Sequence, residues 1–108
     1  RREARLTDPV LPKLTYVLQV TTTFTSFDEA AQQAPEQIAA HIARSKDIHA
    51  GGDLLMAGAF LDDDGGPLRT MAVLTTREAA EEYAKGDPFV LAGMVAEWRV
   101  REWANMLA

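Results

Sequence analysis

The 108-residue chain has no cysteine. That removes disulfides, thiol nucleophiles, zinc–thiolate sites and iron–sulfur clusters. A reducing compartment fits such a chain, and a cytoplasmic location is the expectation. Long apolar runs are also missing. The longest, Leu54–Leu61 and Phe89–Ala96, are eight residues each, whereas a membrane helix needs about 20, so no membrane partner is expected. From Arg1 onward no signal-peptide pattern is visible. Positive charge is in deficit: Lys+Arg number 11 against 16 Asp+Glu, a net charge of -5. A phosphate-backbone binder needs a clustered basic surface, so nucleic acid is not an expected partner. What is present is ordinary globular composition, 47% hydrophobic and 25% charged residues, enough for one domain with one core.

Residues 1–13 read as a flexible N-terminal arm, because Pro9 and Pro12 interrupt any regular element. The remainder, 14–108, reads as a single domain. Leu14–Thr22 alternates in the manner of a strand. Ser26 and Glu29 form a candidate capping box for a short helical piece that Pro35 must end or interrupt. Glu36–Ala50 is the best helix, with Ile38, Ile42 and Ile48 as its apolar stripe and Gly51-Gly52 as its stop. Asp53–Leu61 is apolar on both alternations: Leu54, Met56 and Phe60 one way, Leu55, Ala57, Ala59 and Leu61 the other. Such a strand is expected to be covered twice. The Asp62–Pro67 turn leads to a returning strand, Leu68–Thr75. Arg77–Lys85 is a second helix, with Thr75 and Glu78 as its candidate capping box. Phe89–Gly93 reads as one helical turn and Val95–Trp103 as a last strand.

Strand, helix, strand, strand, helix, strand is the ferredoxin-like split βαβ arrangement, an α+β fold with a four-stranded antiparallel sheet. Helices cover one face of such a sheet. The doubly apolar second strand therefore predicts that a second copy covers the other, making a homodimer.

Candidates for chemistry are few. Of the two histidines, His49 ends the first long helix, where a cation interacts well with the helix C-terminus or simply meets solvent. His41 lies mid-helix, on or beside the apolar stripe, and is either a satisfied core-edge histidine or a proton-transfer group. Asp87 before Pro88 fits an N-cap followed by the first helical position, and a rigid carboxylate is also a good orienter for an imidazole. Trp98 and Trp103 fall on opposite faces of the last strand, as packing residues. Metal ligation has little support. The histidines are eight positions apart, and Asp62–Asp64 lacks the alternate spacing of a calcium loop. No dinucleotide fingerprint, phosphate loop or nucleophile elbow occurs, so neither a cofactor nor a metal is expected.

Three segments carry a resemblance: His41–Phe60 (HIARSKDIHAGGDLLMAGAF), Ala72–Met94 (AVLTTREAAEEYAKGDPFVLAGM) and the strand ending at Trp103. A histidine on the first helix, a Leu-Leu-x-Ala-Gly strand and then D-P-F-x-x-A-G resemble the YciI-like (YCII-related) family from about Leu14 to Trp103. The resemblance implies a ferredoxin-like fold that dimerises as an α/β barrel, and an active site centred on a His–Asp pair, here His41 and Asp87. It also implies cofactor-free proton transfer of lyase or isomerase type, on small unsaturated or aromatic-breakdown acids. Gly58, Arg69, Thr70 and Phe89 fall at the implied substrate pocket. The chain departs from the family at Ala59, where proline is usual, at Arg69-Thr70 in place of Gly-Ser, and at Ile38, where some members have arginine. The alternative function is a non-catalytic dimeric domain that binds a small acid or regulates.

Overall fold

β1, Lys13–Thr22, pairs antiparallel with a strand on each side, so both edges of its backbone are hydrogen-bonded. The computed structural model describes residues 13–62 and 65–107; the arm expected over residues 1–13 falls outside them, apart from Lys13. After β1 come α1 (Phe27–Gln33), α2 (Pro35–Ala50), β2 (Leu54–Ala59), β3 (Arg69–Leu74), α3 (Arg77–Lys85), α4 (Pro88–Leu91) and β4 (Val95–Asn105). The sheet order is β2-β3-β1-β4 with every neighbour antiparallel. That is the ferredoxin-like arrangement predicted from element order.

Local chemistry explains most boundaries. Ser26 caps α1 by accepting from the Glu29 N–H at 3.0 Å, while Glu29 accepts from Thr25 rather than from Ser26, so the reciprocal half of the box slips by one residue. Ala34 closes α1, and Pro35, which has no N–H to lose, opens α2 directly. The cap of α3 is Thr76, not Thr75: its backbone is extended, and its hydroxyl accepts from the Ala79 N–H at 3.0 Å. Thr75 instead bonds Asp53 through both backbone and side chain, tying the end of β3 to the start of β2.

The expected alternation of β2 is overturned by a bulge. Leu54 faces Leu74 across the ladder, yet Met56 faces Val73, leaving Leu55 as the extra residue. One inserted residue resets every later side chain. Leu54, Ala57 and Ala59 therefore share the face of Leu74, Ala72 and Thr70, and Met56 turns to the reverse face. The reverse face is not bare at its centre, where Val17 and Val73 are buried; Met56 and Trp103, at 64% and 50% exposure, lie around it. Trp98 pairs with Val20 and packs on the helix-side core, so the two tryptophans do point opposite ways.

The core sits between the sheet and α3. Leu18, Val20, Leu54, Ala72 and Leu74 meet Ala80, Tyr83 and Ala84, and the alanines let the helix lie close. A smaller cluster of Phe24, Ala30, Ala34 and Leu68 holds α1. α2 behaves differently, since none of its residues is buried. Ile38 packs on the smaller cluster and Ile48 on the larger, so the helix is anchored near both ends, while Ile42 between them stays 46% exposed. The gap between the middle of α2 and the sheet is the cleft described next.

Candidate active site

α2 carries His41 near its middle and α4 begins after Asp87; α2 and α4 are in contact. His41 Nδ1 lies 2.7 Å from Asp87 Oδ1. The Asp-Pro reading as an N-cap holds only for the backbone: the Asp87 carbonyl accepts from Leu91 N–H, but its side chain makes no cap hydrogen bond. The carboxylate is spent on the imidazole instead. Asp87 is buried, at 6% exposure, while the His41 side chain keeps 31%.

Residues 87–93 form the dyad's mount. Pro88 starts the turn, and Gly93 closes it with φ +74°, a conformation that disfavours any residue with a Cβ. Gly93 N–H bonds Val90 C=O and Met94 N–H bonds Phe89 C=O, the paired bonds of a helix end closed by a left-handed glycine. This turn sets Phe89 against the imidazole, ring centroids 5.5 Å apart, with Phe24 edge-on behind it at 6.3 Å. Tyr83 approaches His41 from α3 at 6.1 Å.

A carboxylate accepts hydrogen bonds, so Asp87 favours the tautomer with the proton on Nδ1 and leaves Nε2 its lone pair. Among the described residues Nε2 has no protein partner, and no buried side-chain nitrogen or oxygen lacks one. Nε2 is therefore accessible. The space beside it is a cleft of about 510 Å³, within the usual range for small-molecule sites. Its sheet wall is hydrocarbon from Leu18, Val20, Ala57, Ala59 and Ala72; its α2 wall carries Ile42, Ser45, Lys46 and His49 as well as His41.

Of the other residues singled out by resemblance, Gly58, Thr70 and Phe89 line this cleft with the dyad. A side chain built on Gly58 would meet nothing within 4 Å. Arg69 does not join them. It borders a separate depression with Ser26, Phe27 and Phe60. His49 does more than meet solvent: its Nδ1 lies 2.7 Å from the Leu54 carbonyl, joining the end of α2 to β2. Among the described residues no three histidine or carboxylate side chains gather as metal ligands, and no helix is long and apolar enough to cross a membrane.

Sequence reasoning passed over Ser45 and Arg44. Ser45 Oγ lies 2.6 Å from the Tyr83 hydroxyl. Arg44 donates to the carbonyls of Tyr83 and Glu82 at 2.8 and 2.9 Å, and its guanidinium sits 5.4 Å from the centre of the Tyr83 ring. A cation on the last carbonyls of α3 complements the helix dipole. Burial pushes the Tyr83 phenol above its ordinary 10.0, and the nearby Asp87 carboxylate adds to this, while the Ser45 hydrogen bond and Arg44 act the other way. The signal available in the sequence was spacing alone: Ser45 is four residues after His41, on the same helix face.

The sheet order, the two helical connections and the His–Asp cleft define a ferredoxin-like α+β domain. The chain belongs to the YCII-related domain family, whose model matches residues 16–104. The chain is similar to solved structures. The 5-chloro-2-hydroxyhydroquinone dehydrochlorinase of Burkholderia phenoliruptrix, solved with 2,5-dihydroxybenzoquinone, superposes with a TM-score of 0.58 at 18% identity, over 82% of this chain and 92% of that one. The Pseudomonas aeruginosa protein PA3566 gives 0.49 at 14% identity, over 89% and 96%. SnoaB, a cofactor-independent oxygenase from Streptomyces nogalater, gives 0.43 at 15%, over 86% and 92%. No curated protein matches the sequence.

Proposed function

We propose that this protein is a small-molecule enzyme of lyase or isomerase type in which His41 moves a proton and Asp87 orients and charge-stabilises it. The observation that carries this reading is the 2.7 Å contact between His41 Nδ1 and Asp87 Oδ1 at the wall of an apolar cleft. The Nε2 lone pair takes a proton from an acidic C–H of the substrate, and the electron pair left behind enters the conjugated system. In an elimination that pair expels a leaving group from the neighbouring atom; in an isomerisation the imidazolium returns its proton at a different carbon. Asp87 accepts from the Nδ1–H throughout and stabilises the imidazolium. Acid–base help of this kind contributes about 10²–10⁴ in rate. Lys46 lines the same cleft and brings positive charge to its α2 wall, which suits a small acid.

Deuterium exchange tests the step without knowledge of the physiological substrate. In D2O, 2,5-dihydroxybenzoquinone, the compound in the complex of the Burkholderia enzyme, is expected to take up deuterium at its ring carbons faster with the protein than without. The route is the keto tautomer, in which the imidazolium has delivered deuterium to carbon and Nε2 then removes the acidic C–H proton. His41→Ala should abolish that acceleration. Equal exchange by wild type and variant would sink the mechanism.

A second reading has one observation in its favour. Arg69, the cation expected in the pocket, borders a different depression, so the dyad lacks that partner for a developing negative charge. A ligand-binding domain needs none, and it would show saturable thermal stabilisation by a small acid with no product.

The reading includes a homodimer formed through the reverse sheet face, supported by exposed Met56 and Trp103 there. Sedimentation equilibrium at micromolar concentration should give twice the chain mass, and a monomer would exclude it.

A further inference from the structure

Within the reading that the cleft holds the substrate, we propose that Ser45 is a second ligand-contacting residue, its hydroxyl positioned by Tyr83 to donate to an oxygen of a planar cyclic acid. Ser45 follows His41 by one helical turn, and both line the cleft. Residues at this spacing lie about 5–6 Å apart at Cβ, a distance spanned by one six-membered ring. A ring that presents a C–H to His41 Nε2 therefore carries its distal oxygen to Ser45.

The burial of Tyr83 favours one direction for the hydrogen bond it shares with Ser45. Tyr83 is buried, at 4% exposure, and its hydroxyl lies 2.6 Å from Ser45 Oγ. Among the described residues Ser45 Oγ is the one hydrogen-bond partner of the buried phenol, so a phenol that donates to Ser45 Oγ leaves no buried O–H without an acceptor and frees the Ser45 O–H for the cleft. Arg44, bonded to the Tyr83 carbonyl and stacked on its ring, keeps the phenol in place. Tyr83 is thus a positioning residue. Opposite this polar wall stands the hydrocarbon of Leu18, Val20 and Ala72. One polar edge and one apolar face match a flat ring with oxygens along its rim, and they disfavour a flexible aliphatic acid.

The test is calorimetric titration of 2,5-dihydroxybenzoquinone into wild type, Ser45→Ala, Ser45→Thr and Tyr83→Phe, with each melting temperature recorded. Loss of one hydrogen bond should weaken binding by about 3- to 10-fold in Ser45→Ala. Ser45→Thr keeps the hydroxyl and should restore affinity, and Tyr83→Phe should fall between. Undiminished affinity in Ser45→Ala, weakening that Ser45→Thr does not reverse, or failure of wild type to bind at millimolar concentration would each overturn the assignment. The exchange assay separates this from the dyad. If His41→Ala stops exchange while Ser45→Ala binds normally, the Ser45 role fails and the dyad stands. If Ser45→Ala binds weakly while His41→Ala still exchanges, the dyad fails and the ligand contact stands.

Discussion

Asp87 and His41 are 46 positions apart in the chain, yet Asp87 Oδ1 sits 2.7 Å from His41 Nδ1. The carboxylate is buried and gives its side chain to no helix cap. Its attachment to a turn fixed by Pro88 and Gly93 is what aims it at α2.

Replacing Asp87 with Asn keeps the volume but removes the charge and lets the ring adopt the wrong tautomer. Exchange activity is expected to fall by about 10²-fold or more. The melting temperature should move far less than activity does. Activity within twofold of wild type would show that Asp87 is structural only.

Gly93→Ala places a Cβ at φ +74°. A left-handed non-glycine residue costs about 1–2 kcal/mol. Urea denaturation should show a loss of that size, and because the same turn carries Phe89 and Asp87, affinity for the quinone probe should fall with it.

Leu74 is fully enclosed between the sheet neighbours and α3. Leu74→Ala leaves a cavity, with an expected cost of about 2–5 kcal/mol. Ile42→Ala, on the exposed middle of α2, should cost under about 1 kcal/mol and act instead on ligand binding, since Ile42 lines the cleft.

Tyr83 sets an alkaline limit. Its folded pKa is raised above 10.0, chiefly by burial, so above the unfolded value the folded state holds a proton that the unfolded state has released. Stability is then fully present below pH 10.0 and falls as pH rises through the folded pKa. Tyr83→Phe should remove this part of the decline. A denaturation midpoint with the same alkaline slope in both proteins would contradict the assignment.

Element order was legible in the sequence because it rests on local physics: alternation in β1, Pro35 and Gly51-Gly52 as punctuation around α2, and the apolar stripe of that helix. Those cues specify the ferredoxin-like class. They could not place the bulge in β2, because an extra residue depends on how the partner strand pairs, and so the faces of Met56 and Ala57 came out reversed. Nor could they choose Thr76 over Thr75, whose difference is one extended residue at the end of β3. For the site, residue types and a family resemblance named His41 and Asp87, but the spacing of Asp-Pro argued equally for a helix cap. Only the tertiary structure shows where the Asp87 carboxylate goes: α2 and α4 meet in space, and it lies against the His41 imidazole and makes no side-chain cap. It also removed Arg69 from the cleft and brought in Ser45 and Tyr83, whose 2.6 Å contact joins residues 38 positions apart. Composition and periodicity determine which groups exist and which face of an element they share; packing between elements determines which of them meet.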